Sequence, residues 1–554
     1  MGAVRVPVLA ATLAIAVGSV ALLAGTRQAE SATGDNVIFI LTDDQTTSEL
    51  AAMPNVRALI GGAGATFNRA YVPYPLCCPS RASLLSGQYM HNHGVHGNVE
   101  PNGGWQAFRP REPSALPVRT HTAGYYNVQV GKYMNGYVAT GSPPYVPPGW
   151  DEWFGKISEE NLYFNYTLLE QTAPLDTPEV AFYGDQPDEY QTDVFGDKAV
   201  DFVAGLTGAQ TPFMLNLWFN APHSPFEPAP RHLGSFATSK LPKLPGFNEK
   251  DISDKPRWLR KQAKRRLGKG IRNTIEAERR RRLEQLRSVD EAVGLLVSYL
   301  RAGGHLDDTY IVFASDNGFF RGEHRIAGGK FLAYEPSARV PLMIRGPGIP
   351  AGVVSDELVS ELDITQTILE IANGSTVPGL DGRSLLPYAK DPALRSTRPI
   401  LLEADTGPGL GNAVDTESAG TAAVARARLA GKKGVRDLDQ ELMANKSAAN
   451  GSSAPAYKAI RTDRYLYVLY ANGQRELYDM RRDPAQLRSK HDDSRYRAVR
   501  RWLSRQLFAL STCAGAACRV ELGPDPRPRK GKPDKDKGPA NDPHGPRPKK
   551  PKKP

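Results

Sequence analysis

The apolar positions of this chain are arranged as in a sheet covered on both sides. Residues 36–42 read Asn-Val-Ile-Phe-Ile-Leu-Thr, a continuous run instead of the alternation of a half-exposed strand. Similar runs recur at 213–219, 310–315 and 340–344. Leu286, Val289, Val293, Leu296 and Leu300 fall at three- and four-residue steps, which predicts one buried face of a helix. Strands alternating with helices predict an α/β fold, a large mixed and mainly parallel sheet flanked by helices. Ligands of such sheets gather at the carboxyl ends of the strands.

Near residue 402 the texture changes. The pattern predicts one large domain over 32–402, then a flexible Ala/Gly/Ser-rich insertion over 403–456. A smaller C-terminal α+β subdomain follows over 457–523, with a strand at 465–470 and an amphipathic helix at 494–510. Residues 524–554 hold 10 prolines and predict a disordered basic tail. Residues 1–26 carry one charge, Arg5, and small residues at Ala29 and Ser31 follow. This predicts a signal peptide over 1–31 and a secreted or extracytoplasmic (periplasmic or cell-surface) protein, with an uncleaved anchor as the alternative.

Composition narrows the classes. With 40% hydrophobic and 23% charged residues the chain can bury a large core, which excludes a mainly disordered protein. Four cysteines in 554 residues are too few for a disulfide scaffold, although Cys513 and Cys518 are spaced for one small loop. The formal charge of +11 is concentrated. The tail has 11 Lys/Arg against 4 Asp, and 255–287 has 14 against 3 Glu, so the remainder is acidic. Such clusters suit an anionic polysaccharide, and the plainer reading is a solvated helix face and a soluble tail. Nucleic acid is not expected of an exported chain. Neutralising Arg279–Arg282 is expected to weaken binding to heparin-like chains.

Candidate chemistry lies at the strand ends. The first strand closes on Asp43-Asp44, and the strand at 310–315 runs into Asp316-Asn317. Three carboxylates and an amide are all oxygen donors, which favours Ca²⁺, or Mg²⁺, over zinc. Between them in sequence, Cys77-Cys78-Pro79-Ser80-Arg81 opens a predicted helix whose amino end favours an anion. A cysteine there is expected to be acidified; a buried thiol or a vicinal disulfide is the alternative.

The run Cys77-Cys78-Pro79-Ser80-Arg81, closed by Leu85-Ser86-Gly87, resembles the sulfatase signature. Leu41-Thr42-Asp43-Asp44-Gln45, Gly131-Lys132-Tyr133, Ala221-Pro222-His223-Ser224-Pro225 and Ser315-Asp316-Asn317-Gly318 follow in family order. With His91-Asn92-His93 after the signature, the chain most resembles N-acetylglucosamine-6-sulfatases and extracellular endosulfatases.

The resemblance implies an alkaline-phosphatase-like sandwich and a sulfuric ester hydrolase acting on a sulfated sugar, such as 6-O-sulfated N-acetylglucosamine. A broad arylsulfatase and a phosphate mono- or diester hydrolase of the same fold are the alternatives. It implies that a formylglycine-generating enzyme converts Cys77 to formylglycine (3-oxoalanine), whose hydrated form supplies the nucleophile. Asp43, Asp44, Cys77, Asp316 and Asn317 would hold Ca²⁺, and Arg81 would hold the hydrated aldehyde. Lys132 and Lys330 would clamp the sulfate, and His223 would protonate the leaving oxygen. Many sulfatases place a histidine two residues after the lysine of Gly-Lys, where this chain has Met134. His93 or Asn135 are the candidate substitutes. His91, His93 and Asn135 are expected in the substrate pocket, and loops 101–110 and 183–189 around it. The cluster of His91, His93 and His96 lacks the ligand set of a zinc site.

Overall fold

A computed structural model describes residues 34–138, 144–157, 162–206, 211–242, 244–405 and 454–531. The expected signal peptide, most of the predicted insertion and most of the tail lie outside the described residues.

The large sheet has eleven strands. They are β1 (Asn36–Thr42), β2 (Ala65–Tyr71), β3 (Tyr126–Gly131), β4 (Glu152–Lys156), β5 (Tyr166–Gln171), β6 (Glu179–Tyr183), β7 (Phe213–Trp218), β8 (Thr309–Ser315), β9 (Arg339–Val340), β10 (Leu342–Arg345) and β11 (Val353–Ser360). The order is β11-β2-β10-β8-β1-β7-β3-β4-β5-β6, with β9 paired to β2. The centre β8-β1-β7-β3-β4 is parallel, and antiparallel pairings flank it.

Strand β1 shows why its sequence has no polar alternation. Val37, Phe39 and Leu41 face one core, which contains Ala82, Leu84 and Leu85 of the helix Cys77–Ser86 and Ile364, Ile368 and Leu369 of the helix Leu362–Asn373. Ile38 and Ile40 face the other, against Leu286, Val289, Val293, Leu296 and Leu300 of the long helix Lys269–Gly303. Both faces are dry, so both parities of the strand are apolar.

The small sheet is antiparallel, in the order β12 (Ile400–Ala404), β13 (Tyr457–Arg461), β14 (Tyr465–Tyr470) and β15 (Arg475–Asp479). It packs against the helix Arg497–Leu510 through Val499, Leu503 and Leu507. Two expected boundaries shift. The one at 402 cuts β12, whose residues pair with β13 throughout, so the subdomain begins earlier in the chain. The start of the tail is docked: Asp525 accepts from Thr462 Oγ1 and the Arg464 amide, and Tyr465 donates to the Pro526 carbonyl. Cys513 and Cys518 form the disulfide that their spacing suggests. Among the described residues, no helix is long and apolar enough to cross a membrane.

Candidate active site

The parallel register places the ends of β1 and β8 side by side, with Thr42 opposite Ser315. Asp43 and Asp44 therefore emerge next to Asp316 and Asn317, and all four are buried. Asp44 has a positive φ of 70°. Its amide donates to Asp316 Oδ1 at 3.2 Å, and Asn317 Nδ2 donates to Asp44 Oδ1 at 2.5 Å.

The helix Cys77–Ser86 enters this cluster by its amino end, with Cys77 at the first helical position and Gly87 closing it in the left-handed conformation. Cys77 Sγ lies 3.5 Å from Asp43 Oδ1 and 2.8 Å from Lys330 Nζ. One turn on, Arg81 donates to Asp316 Oδ2 at 2.9 Å, Asp43 Oδ2 at 3.3 Å and the Lys132 carbonyl at 2.6 Å. Its guanidinium lies over the Trp218 ring.

Lys132 follows Gly131, where a Cβ would stand 2.1 Å from the Trp218 carbonyl, so only glycine lets β3 and β7 close here. Lys132 Nζ reaches Asp43 Oδ2 at 2.6 Å, and Lys330 Nζ reaches Asp44 Oδ1 at 2.5 Å. His223 Nε2 lies 3.7 Å from Asp44 Oδ2. Its Nδ1 contacts the Ser224 carbonyl at 2.8 Å. A carbonyl only accepts, so Nδ1 carries the hydrogen and Nε2 is left for proton exchange.

The electrostatics follow from crowding in a dry place. Burial works to raise Asp43, but Lys132, His223, Lys330 and Arg81 outweigh it and hold its carboxyl well below the usual range. Asp316 is raised by burial and by the Asp43 charge. Lys330 is pushed well up, burial being outweighed by Asp44 and its neighbours. The Cys77 thiol is raised by burial and by Asp43, against the expectation of an acidified cysteine. The helix terminus is too weak to offset an anion 3.5 Å away. Cys77 and Cys78 both keep their thiols, so no vicinal disulfide joins them.

Asp43, Asp44, Cys77 and His223 bring ligand atoms within 4.8 Å of one another. Asn317 Oδ1 is buried beside them with no hydrogen-bond partner. An orphaned acceptor among oxygen donors fits a hard divalent cation.

Two expected pocket residues belong elsewhere. His91 Nδ1 binds Glu403 at 2.7 Å and its Nε2 binds the Cys513 carbonyl at 2.8 Å, so it joins the large domain to the small one. His93 is fully buried against Ser83 Oγ at 3.1 Å, and burial drives its imidazole down to about 3. It therefore braces the signature helix as a neutral ring and does not replace the histidine missing at Met134. Asn135 does adjoin the signature, its amide donating to Cys78 Sγ at 3.2 Å. Loop 101–110 stays near, through the Trp105 amide on the Asn135 carbonyl, whereas 183–189 follows β6, five strands from β1 and about 24 Å away.

Three residues near the site had no marker in the sequence. Asn98 Oδ1 caps the Cys78 amide at 2.9 Å, the buried Glu361 accepts from Ser80 Oγ, and Glu49 accepts from Arg282 and Arg321. Arg279 and Arg282 are themselves buried, so half of the Arg279–Arg282 run is unavailable to a polysaccharide.

Residues 35–375 match the Sulfatase family model. The human N-acetylglucosamine-6-sulfatase is 35% identical over 402 residues, 71% of this chain and 70% of that protein. An arylsulfatase of Chlamydomonas reinhardtii is 30% identical over 560 residues, 94% and 79% respectively. A solved structure of a protein in complex with its substrate D-glucosamine-2-N,6-O-disulfate superposes with a TM-score of 0.65 at 23% identity, covering 86% of this chain and 97% of that one. With its strand-end carboxylates, signature helix and alkaline-phosphatase-like architecture, the chain belongs to the sulfatase family, hydrolases of sulfate esters that generally use formylglycine and a divalent metal.

Proposed function

We propose that this protein is an exported sulfatase acting on 6-O-sulfated N-acetylglucosamine or a closely related sulfated sugar, with Cys77 matured by a formylglycine-generating enzyme. The observation that carries the reading is the convergence on Cys77 of Asp43, Asp44 and Asp316, with Asn317 Oδ1 left without a partner. Asp43, Asp44, Asp316, Asn317 and residue 77 would hold Ca²⁺, the ion best suited to a flexible set of oxygen donors. When present, the formylglycine supplies a nucleophilic hydroxyl and the cation positive charge beside an anionic substrate.

The rest is the work of this chain's own side chains. Arg81 is locked between Asp43 and Asp316 and presents fixed positive charge to the helix end that carries residue 77. Lys132 and Lys330 bring two further cations to the same opening, where they balance the charge on sulfate oxygens. His223 turns Nε2 to the site, where it would pass a proton to the departing alcohol oxygen, its ring fixed through Nδ1. Asn135, whose amide meets Cys78 Sγ, would contact the substrate.

The 35% identity to the human N-acetylglucosamine-6-sulfatase supports the sugar. The arylsulfatase match over 94% of the chain favours aryl sulfates as a second reading. Assays of the Ca²⁺-loaded protein on N-acetylglucosamine 6-sulfate and on 4-nitrophenyl sulfate separate them. A kcat/KM at least about tenfold higher on the sugar is expected, and the reverse order moves the assignment to an arylsulfatase. The disulfide and the extracellular sulfatase relatives of Caenorhabditis elegans and Drosophila melanogaster support export. An anionic polysaccharide would meet the exposed Arg257, Lys261, Lys264, Arg265 and Lys269, and the tail, instead of Arg279–Arg282.

A further inference from the structure

Arg282 is the most enclosed member of the basic run that looked from sequence like a solvated face. It lies near the middle of the long helix Lys269–Gly303 and is fully buried. Each arm of its guanidinium has a different task. Nε and Nη2 donate to the Glu49 carboxylate at 2.7 and 3.0 Å. Nη2 also donates to the Asp44 carbonyl at 2.6 Å, and Nη1 to the Pro222 carbonyl at 3.1 Å. Asp44 is a strand-end carboxylate of the site, and Pro222 immediately precedes His223.

The anchor is as well defined as the bridge. Glu49 sits in the turn after β1 and accepts from Arg321 as well, which also binds Thr46 Oγ1 at 2.8 Å. One carboxylate between two guanidiniums stays ionised: burial opposes this, but Arg282 and Arg321 hold Glu49 down to about 2. One helical turn along, Gln285 Nε2 approaches the His223 carbonyl at 3.5 Å, and Tyr163 donates to the same carbonyl at 2.8 Å. The inner face of the helix therefore meets three site carbonyls, those of residues 44, 222 and 223.

We propose that Arg282 is a positioning residue that fixes the distance between the cation-binding end of the site, at Asp44, and its proton-donating end, at His223. Two features make the fork necessary. Asp44 holds a left-handed backbone that an aspartate adopts only where its surroundings require it, and Arg282 grips its carbonyl. His223 is carried by a loop instead of a strand, so its place depends on the carbonyls at 222 and 223. A planar guanidinium can bind two carbonyls and a carboxylate in one geometry; a lysine ammonium in the same space keeps the charge but not the fork.

The inference rests on the proposed roles of Asp44 and His223, and the test keeps the two apart. Arg282→Lys, Glu49→Gln and, as a control in the same run, Arg281→Gln are made in the full-length protein. Calorimetry with CaCl2 reads the Asp44 end without any turnover. The pH profile of kcat on 4-nitrophenyl sulfate reads the His223 end, and peptide mass spectrometry checks formylglycine content. For Arg282→Lys, Ca²⁺ affinity and kcat are each expected to fall by about 10- to 100-fold. KM is expected to stay within about twofold, with the pH limb displaced and maturation unchanged. Glu49→Gln follows in the same direction by a smaller factor, and Arg281→Gln matches the wild type. Folded, matured Arg282→Lys with wild-type Ca²⁺ affinity and pH profile overturns the proposal. Activity lost only in proportion to unfolded protein does so too.

Discussion

Among the buried clusters of carboxylate and guanidinium in the described residues, two are built to opposite ends. Asp363 and Arg398 form a closed pair: both carboxylate oxygens take a guanidinium nitrogen, at 2.9 and 2.5 Å, and each takes a backbone amide at 2.9 Å, from Arg383 and Ser360. At the ends of β1 and β8, Asp43, Asp44 and Asp316 face Arg81, Lys132 and Lys330, one cation for each carboxylate, yet the Asn317 acceptor stays unpaired. The first arrangement leaves no acceptor open, only the Arg398 Nε hydrogen, and so offers nothing to a cation. The second is held in part by two lysine ammoniums, point charges that a divalent cation can replace. A buried ion pair contributes little net stability, but removal of one partner strands the other. The two clusters therefore answer mutation differently.

The strongest way to break the comparison is at the open cluster. Cys77→Ala is expected to lower kcat on 4-nitrophenyl sulfate by roughly 10⁵- to 10⁶-fold, the scale seen when a covalent nucleophile is removed. The melting temperature should move little, since the two groups the thiol touches, Asp43 and Lys330, are also held by Lys132, Arg81 and Asp44. Residual turnover within 100-fold of the wild type would mean that the site does not work through residue 77. The closed pair gives the converse. Arg398→Met leaves the Asp363 carboxylate buried without its partner, at a cost of about 3–5 kcal/mol in urea unfolding. The fraction that remains folded should keep the wild-type kcat per mole of formylglycine. Loss of kcat in that fraction would show that the pair reaches into the site.

How much of this could be read in the sequence depends on the range of the determining contact. Asp43-Asp44, Asp316-Asn317 and Cys77–Arg81 are short runs whose chemistry is local, and the parallel register of β1 with β8 brings them together as the sheet pattern predicts. The signal failed where a side chain's partner is remote. His91 meets Glu403 and Cys513, more than 300 and 400 residues away in sequence, so adjacency to the signature suggested a pocket instead of a domain joint. Arg279–Arg282 is a run of four like charges. Only the packing of the helix against Glu49 and Ser239 tells the buried positions from the exposed ones. The tail's docked start depends on Asp525 reaching Thr462, which its proline-rich composition conceals.

A milder test asks whether a closed cluster can be built from neutral donors alone. Glu476 on β15 is fully buried, accepting from Tyr334 at 2.8 Å, Tyr470 at 3.2 Å and Tyr478 at 2.8 Å. Burial raises its carboxyl to about 7, although Lys255 and the tyrosine hydroxyls work against the rise. The folded protein therefore keeps this proton up to about pH 7, while the unfolded chain releases it near the ordinary value of 4.5. Between those limits the folded state binds more protons, so stability is highest below the unfolded value and falls as pH rises through the window. The loss amounts to about 3 kcal/mol. Glu476→Gln cannot ionise, and its unfolding free energy should lack this component. The difference from the wild type, measured by urea unfolding from pH 4.5 to 8, should shift towards the variant by that amount as pH rises. Parallel curves would mean that the tyrosine hydroxyls stabilise the carboxylate as fully as Arg398 stabilises Asp363, and that neutral donors close a buried cluster as well as a guanidinium does.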